Sequence, residues 1–278
     1  MDVQAAFDAI AAEAARGDLV FTTHAEIALR VQRALEDPDC SIERLSQLIA
    51  AEPILAAKIV SMANSAAYNP SGRELSGVAQ AVARLGFKTL HTLTMAVVVR
   101  QMQEMSGSAE QKALAQRLWL HTTHVAALAR VIARRVTRQD PEAAFFAGIV
   151  HEVGGFYLIA RAAAFPSLLT SDLSPWHGQG EAALGRSLLA ALGVPATISE
   201  ALETLWQGYL AMPPRSLGDT LLLADQLSPV ESPLSELAGM GRRGLPADLD
   251  LLIDDAMLSR ILADSAAEVD AMSQALQS

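Results

Sequence analysis

Apolar residues recur at intervals of three and four along most of the chain, which is the spacing of helices that bury one face. Leu45, Leu48 and Ile49 trace one such face, and Leu55 and Ile59 continue it on a second short helix. The alternation of apolar and polar residues that would indicate strands is scarce. The pattern therefore predicts an all-α protein.

Helix boundaries are indicated by capping residues, first-turn prolines and glycines. Starts are predicted at Ser41, Pro53, Ser76 and Asp140. Stops are predicted at Gly86, Gly107 and Gly193, with Gly86 turning the chain into a longer helix. A last long helix is predicted over about residues 251–276.

Polar segments between the apolar patterns predict the organisation of the chain. The stretch 101–110 is the predicted boundary between two helical subdomains, residues 1–106 and 107–278. A second polar stretch, 171–180, and the glycine-containing stretch 229–246 are predicted as loops or insertions. No repeat of fixed period is present.

Composition narrows the function classes. The chain has 278 residues, 51% of them hydrophobic, and 21 basic against 31 acidic residues give a net charge of −10. This charge disfavours non-specific binding to nucleic acid or to an anionic membrane. The single cysteine, the acidic N-terminal region and the lack of an unbroken apolar stretch of about 20 residues predict a soluble cytoplasmic protein.

Short motifs in both halves carry a family resemblance. In the first half they are Leu48-Ile49, Glu52-Pro53, Lys58-Ile59, Asn64-Ser65-Ala66, Tyr68 and Leu85-Gly86. In the second half they are Leu118-Trp119-Leu120-His121 and Ile149-Val150-His151-Glu152-Val153-Gly154. Over about residues 20–210 the chain resembles the HDOD family, relatives of HD-domain metal-dependent phosphohydrolases that occur mostly in bacterial signalling. The resemblance implies that the second subdomain is a degenerate HD-like helical bundle.

The same resemblance implies a set of metal ligands. In HD-type sites two histidines, an adjacent aspartate and a distant aspartate hold a metal ion that polarises a phosphate group. The corresponding residues here are His121, His151, Glu152 and Asp225. Glu152 departs from the pattern, because its extra methylene moves the carboxylate by about an ångström, whereas productive sites tolerate about half that. A structural polar pair formed by His151 and Glu152 is the alternative.

Further positions exclude a site with several metal ions. Relatives that bind two or more metals carry additional histidines downstream, where this chain has Glu181 and the pair Leu205-Trp206. Leucine and tryptophan cannot bind metal, so a multinuclear phosphodiesterase is excluded in this register.

Four other residues are candidates for binding a partner or ligand. Asn64, Ser65 and Tyr68 lie at a predicted helix end, where they could instead satisfy backbone groups. His124 shares a helix face with His121, and a structural role at a subdomain junction is the alternative. His24 and His91 are predicted to be surface or packing residues.

Two functions follow as hypotheses. The first is a non-catalytic HDOD regulatory protein that needs no cofactor and binds a protein partner in a nucleotide-linked or two-component signalling pathway, through a groove between Asn64–Tyr68 and the two histidines. The alternative is a mononuclear phosphohydrolase that uses one Fe, Mn or Zn ion and acts on a nucleotide or phosphomonoester. A domain that binds a small nucleotide without hydrolysing it is a third, weaker option. The sequence leaves the oligomeric state open.

Overall fold

The computed structural model describes residues 3–16, 23–162, 164–165, 168, 176, 180–238 and 256–277. These residues form helices and connecting turns without any strand, so the predicted all-α class is confirmed. The helices are α1 (Val3–Ala15), α2 (Thr23–Glu36), α3 (Ile42–Ala50), α4 (Pro53–Asn64), α5 (Val78–Glu104), α6 (Ala109–Ile132), α7 (Pro141–Val150), α8 (Val153–Arg161), α9 (Glu181–Ala191), α10 (Ala196–Gln207), α11 (Leu217–Leu227), α12 (Pro233–Leu237) and α13 (Ala256–Gln277). A π-helical turn, Ala133–Thr137, follows α6.

Side-chain caps begin several helices where the sequence predicts them. Ser41 caps α3, Asp140 caps α7, and Pro53 occupies the first turn of α4 behind the cap residue Glu52. Each cap oxygen accepts a backbone N–H that the helix itself leaves unpaired. The start of α5 differs by one position, because Gly77 precedes Val78 and supplies no side-chain cap.

Gly86 bends α5 instead of ending it. Its φ of 74° and ψ of 166° interrupt the helical geometry, and the chain continues as a helix to Glu104. A positive φ is readily accessible only to glycine, which explains the residue type at this corner. Gly107 lies between α5 and α6, and Gly193 follows the end of α9, as the sequence predicts.

Helices α5, α6 and α7 pack against one another in the middle of the fold. Helices α2, α3 and α4 cover α5, and α11 and α13 pack against α6. The terminal helices add to the packing of α5 against α7 between the two halves of the chain: α1 packs against α9, and α13 reaches α4 as well as α6. The buried apolar residues form one continuous cluster across residue 106, and the division into subdomains at that residue stays a prediction.

Among the described residues, two helical segments are long and apolar enough to cross a membrane by length and composition, Val78–Glu104 and Pro141–Arg161. The bent pair α3–α4 passes the same test as one broken span. In this fold 67% of the most apolar window of the first segment and 94% of that of the second are buried. Their apolar surface therefore packs against protein here. The expectations of a soluble, cytoplasmic protein stay predictions.

The predicted loops are described only in part. Most of the stretch 171–180 lies outside the described residues, as do residues 239–246 of the stretch 229–246. The described part of the latter stretch contains the short helix α12. The last helix begins at Ala256 among the described residues, five positions after the predicted start at about residue 251.

Candidate functional site

The four residues of the predicted metal set come together from separate helices. His121 lies on α6, His151 directly follows α7, Glu152 precedes α8, and Asp225 lies on α11. The Nε2 atom of His121 lies 3.2 Å from Nε2 of His151, 3.3 Å from Oδ1 of Asp225 and 3.9 Å from Oε1 of Glu152. One ligand atom from each of His121, His151 and Glu152 lies within 4.8 Å of the others, a spacing that could hold a metal ion.

Backbone carbonyls orient both imidazole rings. Nδ1 of His121 lies 2.7 Å from the carbonyl oxygen of Val230, and Nδ1 of His151 lies 2.6 Å from that of Gly148. Since a carbonyl only accepts, each Nδ1 carries a proton and donates it, which leaves Nε2 of each ring for the centre. Two unprotonated Nε2 atoms at 3.2 Å would repel each other, so the geometry calls for a proton or a metal cation between them.

The surroundings of Glu152 accommodate its longer side chain. The hydroxyl of Ser232 donates to Oε1 of Glu152 at 2.7 Å. A Cβ atom at Gly155 would lie 2.9 Å from Oε2 of Glu152 and 2.5 Å from Cδ1 of Leu234, closer than real Cβ contacts. Glycine at this position therefore makes room for the glutamate carboxylate.

Burial and neighbouring charges set the protonation of the centre. His121, His151 and Glu152 are 1%, 4% and 6% exposed. Burial, reinforced by His121, lowers the pKa of His151 to about 4, and burial together with Glu181 raises the pKa of Glu152 to about 7. Burial also opposes a charge on His121, but the hydrogen bond and charge of Asp225 outweigh it and raise the His121 pKa. Without a metal ion, a protonated His121 facing a neutral His151 satisfies both rings.

The centre encloses a cavity of about 50 Å³. That volume holds an ion and a few water molecules, whereas pockets for small-molecule ligands typically measure about 300–1,000 Å³. The cavity is lined by the four residues of the set and by Glu181, Leu205, Gln226, Ser228, Glu231, Ser232 and Ser235. Leu205 contributes an apolar wall where multinuclear relatives would carry a histidine. Two imidazole nitrogens and two carboxylates suit a single Fe, Mn or Zn ion.

Asn64 and Ser65 make local hydrogen bonds. The amide group of Asn64 donates to the carbonyl of Leu75 at 2.7 Å and accepts from the Leu75 N–H at 2.8 Å. The hydroxyl of Ser65 donates to the carbonyl of Met62 at 2.7 Å. These contacts fit the structural alternative for both residues, and their role in binding a partner stays a prediction.

Tyr68 belongs to a polar cluster that joins α4, α5, α6 and α7. Its hydroxyl donates to the Glu142 carboxylate at 3.0 Å, which also accepts from Thr89 at 2.9 Å and from Nε of Arg130 at 3.0 Å. The Arg130 guanidinium lies 4.6 Å from the centre of the Tyr68 ring. Burial and the Glu142 charge raise the pKa of Tyr68, so its hydroxyl stays protonated as the donor.

Tyr68 and the histidine centre lie at opposite ends of α7. Glu142, the partner of Tyr68, is in the first turn, and His151 follows the last residue of the helix. Nine residues of α-helix separate them by about 14 Å along the axis. The two groups therefore do not border one compact site.

His124 lies one turn after His121 but does not line the cavity. Burial lowers the pKa of His124, although the charge of Asp270 on α13 acts to raise it.

The sequence predictions missed the residues that support the centre. Ser232 holds Glu152, and the Val230 carbonyl orients His121, yet both lie in a stretch predicted only as a loop or insertion. The pair Ser232-Pro233 is a recognisable helix start. Its unusual feature is visible only in the structure: the Ser232 side chain makes no capping bond and binds Glu152 instead.

Comparisons with known proteins concern the family and the fold of the chain. The sequence profile of the HDOD domain matches residues 21–206. A protein of Shewanella amazonensis SB2B, provisionally assigned as a metal-dependent phosphohydrolase, has a similar structure with a TM-score of 0.71 and 19% identity over 99% of each chain. An HDOD domain protein of unknown function from Geobacter sulfurreducens matches with a TM-score of 0.62 and 19% identity over 99% of this chain and 98% of its own.

A third similar structure, from Marinobacter aquaeolei VT8, is provisionally assigned to signal transduction. Its TM-score is 0.56 and its identity 21%, over 93% of this chain and 60% of its own. No curated protein matches the chain. The profile match spans about two thirds of the 278 residues and includes His121 and His151. The chain therefore belongs to the HDOD domain family.

Proposed function

We propose that this chain is a non-catalytic regulatory protein of bacterial signal transduction that acts by binding a protein partner. The size of the centre carries the proposal, because a cavity of about 50 Å³ is much smaller than the pockets that ordinarily hold a nucleotide or phosphomonoester. The signalling assignment of the similar Marinobacter protein points in the same direction.

A loop between α10 and α11 offers a surface for such a partner. Tyr209 is 74% exposed and Met212 is 44% exposed, so a partner could contact both side chains. Tyrosine is enriched among the residues that contribute most to protein interfaces. The loop therefore presents a suitable aromatic anchor to solvent.

Hydrogen bonds to Asp219 hold this loop in place. One carboxylate oxygen of Asp219 accepts from the Ala211 N–H at 3.1 Å, and the other accepts from the Arg215 N–H at 3.1 Å and from the N–H and hydroxyl of Ser216 at 2.9 and 2.7 Å. Burial opposes the charge on Asp219, but these donors outweigh it and lower the pKa of the carboxyl. A loop held in one conformation loses less entropy on binding, which favours affinity.

The test compares two exposed apolar side chains. The wild type, Tyr209→Ala and the control Ile54→Ala are each cross-linked in cells, and the proteins bound to them are identified. Ile54 is a suitable control because it is 43% exposed on α4. The affinity of each purified candidate is then measured. We expect one partner whose affinity falls about tenfold or more in Tyr209→Ala and is unchanged in Ile54→Ala. Equal affinity for both variants would remove the loop from the proposal.

The facing imidazoles favour a second candidate function, a mononuclear phosphohydrolase. His121, His151, Glu152 and Asp225 would hold the ion, which would polarise a phosphate group and lower the pKa of bound water. The Nε2 atoms of both histidines are already directed into the centre by their Nδ1 contacts.

Elemental mass spectrometry and phosphatase assays on wild type and His151→Ala separate the two functions. Metal near one equivalent together with hydrolysis of p-nitrophenyl phosphate, both lost in the variant, would replace the regulatory proposal. Metal without turnover would assign the ion a structural role and leave the proposal intact. Turnover that survives in the variant would point to a contaminating enzyme.

A further inference from the structure

A second cavity lies where α2, α5 and α7 meet the start of α10. Its volume is about 340 Å³, and it shares no lining residue with the histidine centre. This volume is near the lower end of the range for small-molecule pockets, so it suits a ligand built around one ring system.

One part of the cavity wall is apolar and partly aromatic. It is formed by Leu35, Phe87, Phe146, Pro195 and Ile198. Phe87 is 39% exposed, although a phenylalanine is ordinarily buried in a fold of this size. An aromatic ligand would cover this ring and gain the favourable contact of two ring systems.

The charged groups of the cavity already have partners. Nζ of Lys88 lies 2.7 Å from Oδ2 of Asp140, and the Glu142 carboxylate is bound by Arg130, Tyr68 and Thr89. A charged ligand would have to compete with these pairs. The two carboxylates also disfavour a phosphorylated ligand by repulsion.

His91 lines the cavity and supplies a hydrogen-bond donor. Its Nε2 accepts from the Gln32 amide at 2.7 Å, and its ring packs edge-on against Phe146 with 4.7 Å between the ring centres. Burial lowers the pKa of His91, which keeps the ring neutral at pH 7. The remaining proton is therefore on Nδ1, and this atom makes no hydrogen bond with any residue that the structure describes.

We propose that this cavity binds an uncharged aromatic or heteroaromatic small molecule. Its ring packs on Phe87, and a hydrogen-bond acceptor on it binds the Nδ1–H of His91. The cavity joins helices from both halves of the chain, so a bound ligand would contact α5 and α7 at once.

Three small aromatic probes of similar size and different charge test the ligand class. Benzamide is uncharged and carries an acceptor, benzoate is an anion, and benzylamine is a cation. Saturation-transfer NMR and calorimetry at pH 7.5 are expected to show that benzamide binds more tightly than either charged probe. Binding of none of the three, or tighter binding of either charged probe, would overturn the proposal.

Variants locate the bound probe. Phe87→Ala removes the exposed wall and is expected to weaken benzamide about tenfold, and His91→Phe keeps a packed ring without the donor and is expected to weaken it about fivefold. Ile54→Ala is the control, because Ile54 is 43% exposed on α4 and does not line the cavity, and it leaves the affinity unchanged. Phe87 is partly exposed, so its variant remains folded even if His91→Phe does not. Unchanged affinity in folded Phe87→Ala would place the probe elsewhere and overturn the proposal.

Discussion

Lys58 is a charged residue inside the core, with 1% of its surface exposed. Its ammonium group donates to the carbonyl of Leu276 at 2.7 Å, and Arg100 donates to the neighbouring carbonyl of Gln277 at 2.7 Å. Both carbonyls belong to the last turn of α13, where such groups have no helical partner. Burial, aided by the charge of Arg100, lowers the Lys58 pKa from 10.5 to about 7.

This lowered pKa makes the free energy of unfolding depend on pH. Between pH 7 and 10.5 the unfolded chain holds a proton on Lys58 that the folded chain has lost. The free energy of unfolding therefore rises as the pH increases from 7 to 10.5, and it falls again when the pH is lowered towards 7. Over this window we expect the free energy of unfolding of the wild type to rise by on the order of 4 kcal/mol more than that of Lys58→Met. Chemical unfolding at several pH values measures the difference.

The control for this prediction is Lys112→Met, because Lys112 is exposed on α6. Its stability should follow the wild-type pH profile. A Lys58→Met profile parallel to the wild type would mean that Lys58 keeps its proton in the folded protein at high pH.

Ser232 is the second residue whose contact yields a prediction. Ser232→Ala leaves the buried Glu152 carboxylate without its 2.7 Å donor, which is expected to lower the free energy of unfolding by about 1–2 kcal/mol. Loss of a helix cap cannot explain such an effect, since Ser232 makes no capping bond. Guanidinium unfolding at pH 7 measures it.

Ser235 lines the same cavity and provides the matched control. Ser235→Ala should change the stability by no more than about 0.5 kcal/mol. Equal effects of the two variants would argue against a specific role for the Ser232 hydroxyl.

The four residues of the candidate centre could be predicted from the sequence, but the residues that hold them in place could not. His121, His151 and Glu152 stand in motifs that are recognisable within a few neighbouring residues, and Asp225 follows from the same resemblance. Ser232 acts across 80 positions of sequence. A contact of that span leaves no local pattern, so only the folded chain reveals it.

Among the helices, α13 depends most clearly on distant charged residues for its position. Glu268 on α13 accepts from Nη1 of Arg130 at 3.1 Å and from Nη2 of Arg134 at 2.5 Å. Arg130 also binds Glu142, so one guanidinium joins α13, α6 and α7. Burial opposes the charge on Arg130, but its anionic partners outweigh it and raise the pKa of the guanidinium.

Glu268→Gln should weaken the docking of α13. The substitution removes the charge that faces two arginines, one of them only 9% exposed, and is expected to cost about 2 kcal/mol. We place the cost below that of a fully buried pair because Arg130 keeps Glu142. Hydrogen exchange should show faster exchange in α13, and unfolding curves give the energy.

Glu236→Gln is the control for this substitution. Glu236 pairs with Arg117 at 2.6 Å, but the two side chains are 48% and 54% exposed. Exposed pairs contribute little, so the change should stay within about 0.5 kcal/mol. A similar cost for both substitutions would mean that the Glu268 pairs are also screened by solvent.

Helix starts were predictable where a short-range interaction sets them. Ser41 and Asp140 cap helices through contacts within three residues, and Pro53 stands in the first turn behind the cap residue Glu52. The bend at Gly86 was also indicated by its residue type. The packing of α13 against both α4 and α6 could not be predicted, because its contacts join residues more than a hundred positions apart.

At the scale of the whole molecule, the two predicted subdomains share their core. Buried apolar residues form one cluster across the 106/107 boundary, and α5 packs directly against α7. The terminal helices add to this connection, since α1 packs on α9 and α13 on α4. A boundary predicted from a polar segment therefore does not imply two independently stable units.

The shared core predicts one cooperative unfolding transition. All three tryptophans, Trp119, Trp176 and Trp206, belong to the second half, whereas far-UV circular dichroism reports on helices of both halves. We expect tryptophan fluorescence and circular dichroism to give coincident guanidinium unfolding curves. A loss of helical signal before the change in fluorescence would show that residues 1–106 unfold separately.

The docking of α13 on α4 also has a consequence for the order of events during translation. Lys58 in α4 lacks its hydrogen-bond partner, the carbonyl of Leu276, until the ribosome has added 218 more residues. Until then, the ammonium group and the apolar surface that α13 covers remain open to water. Nascent chains of this protein would therefore present an incomplete core to chaperones until α13 has left the exit tunnel.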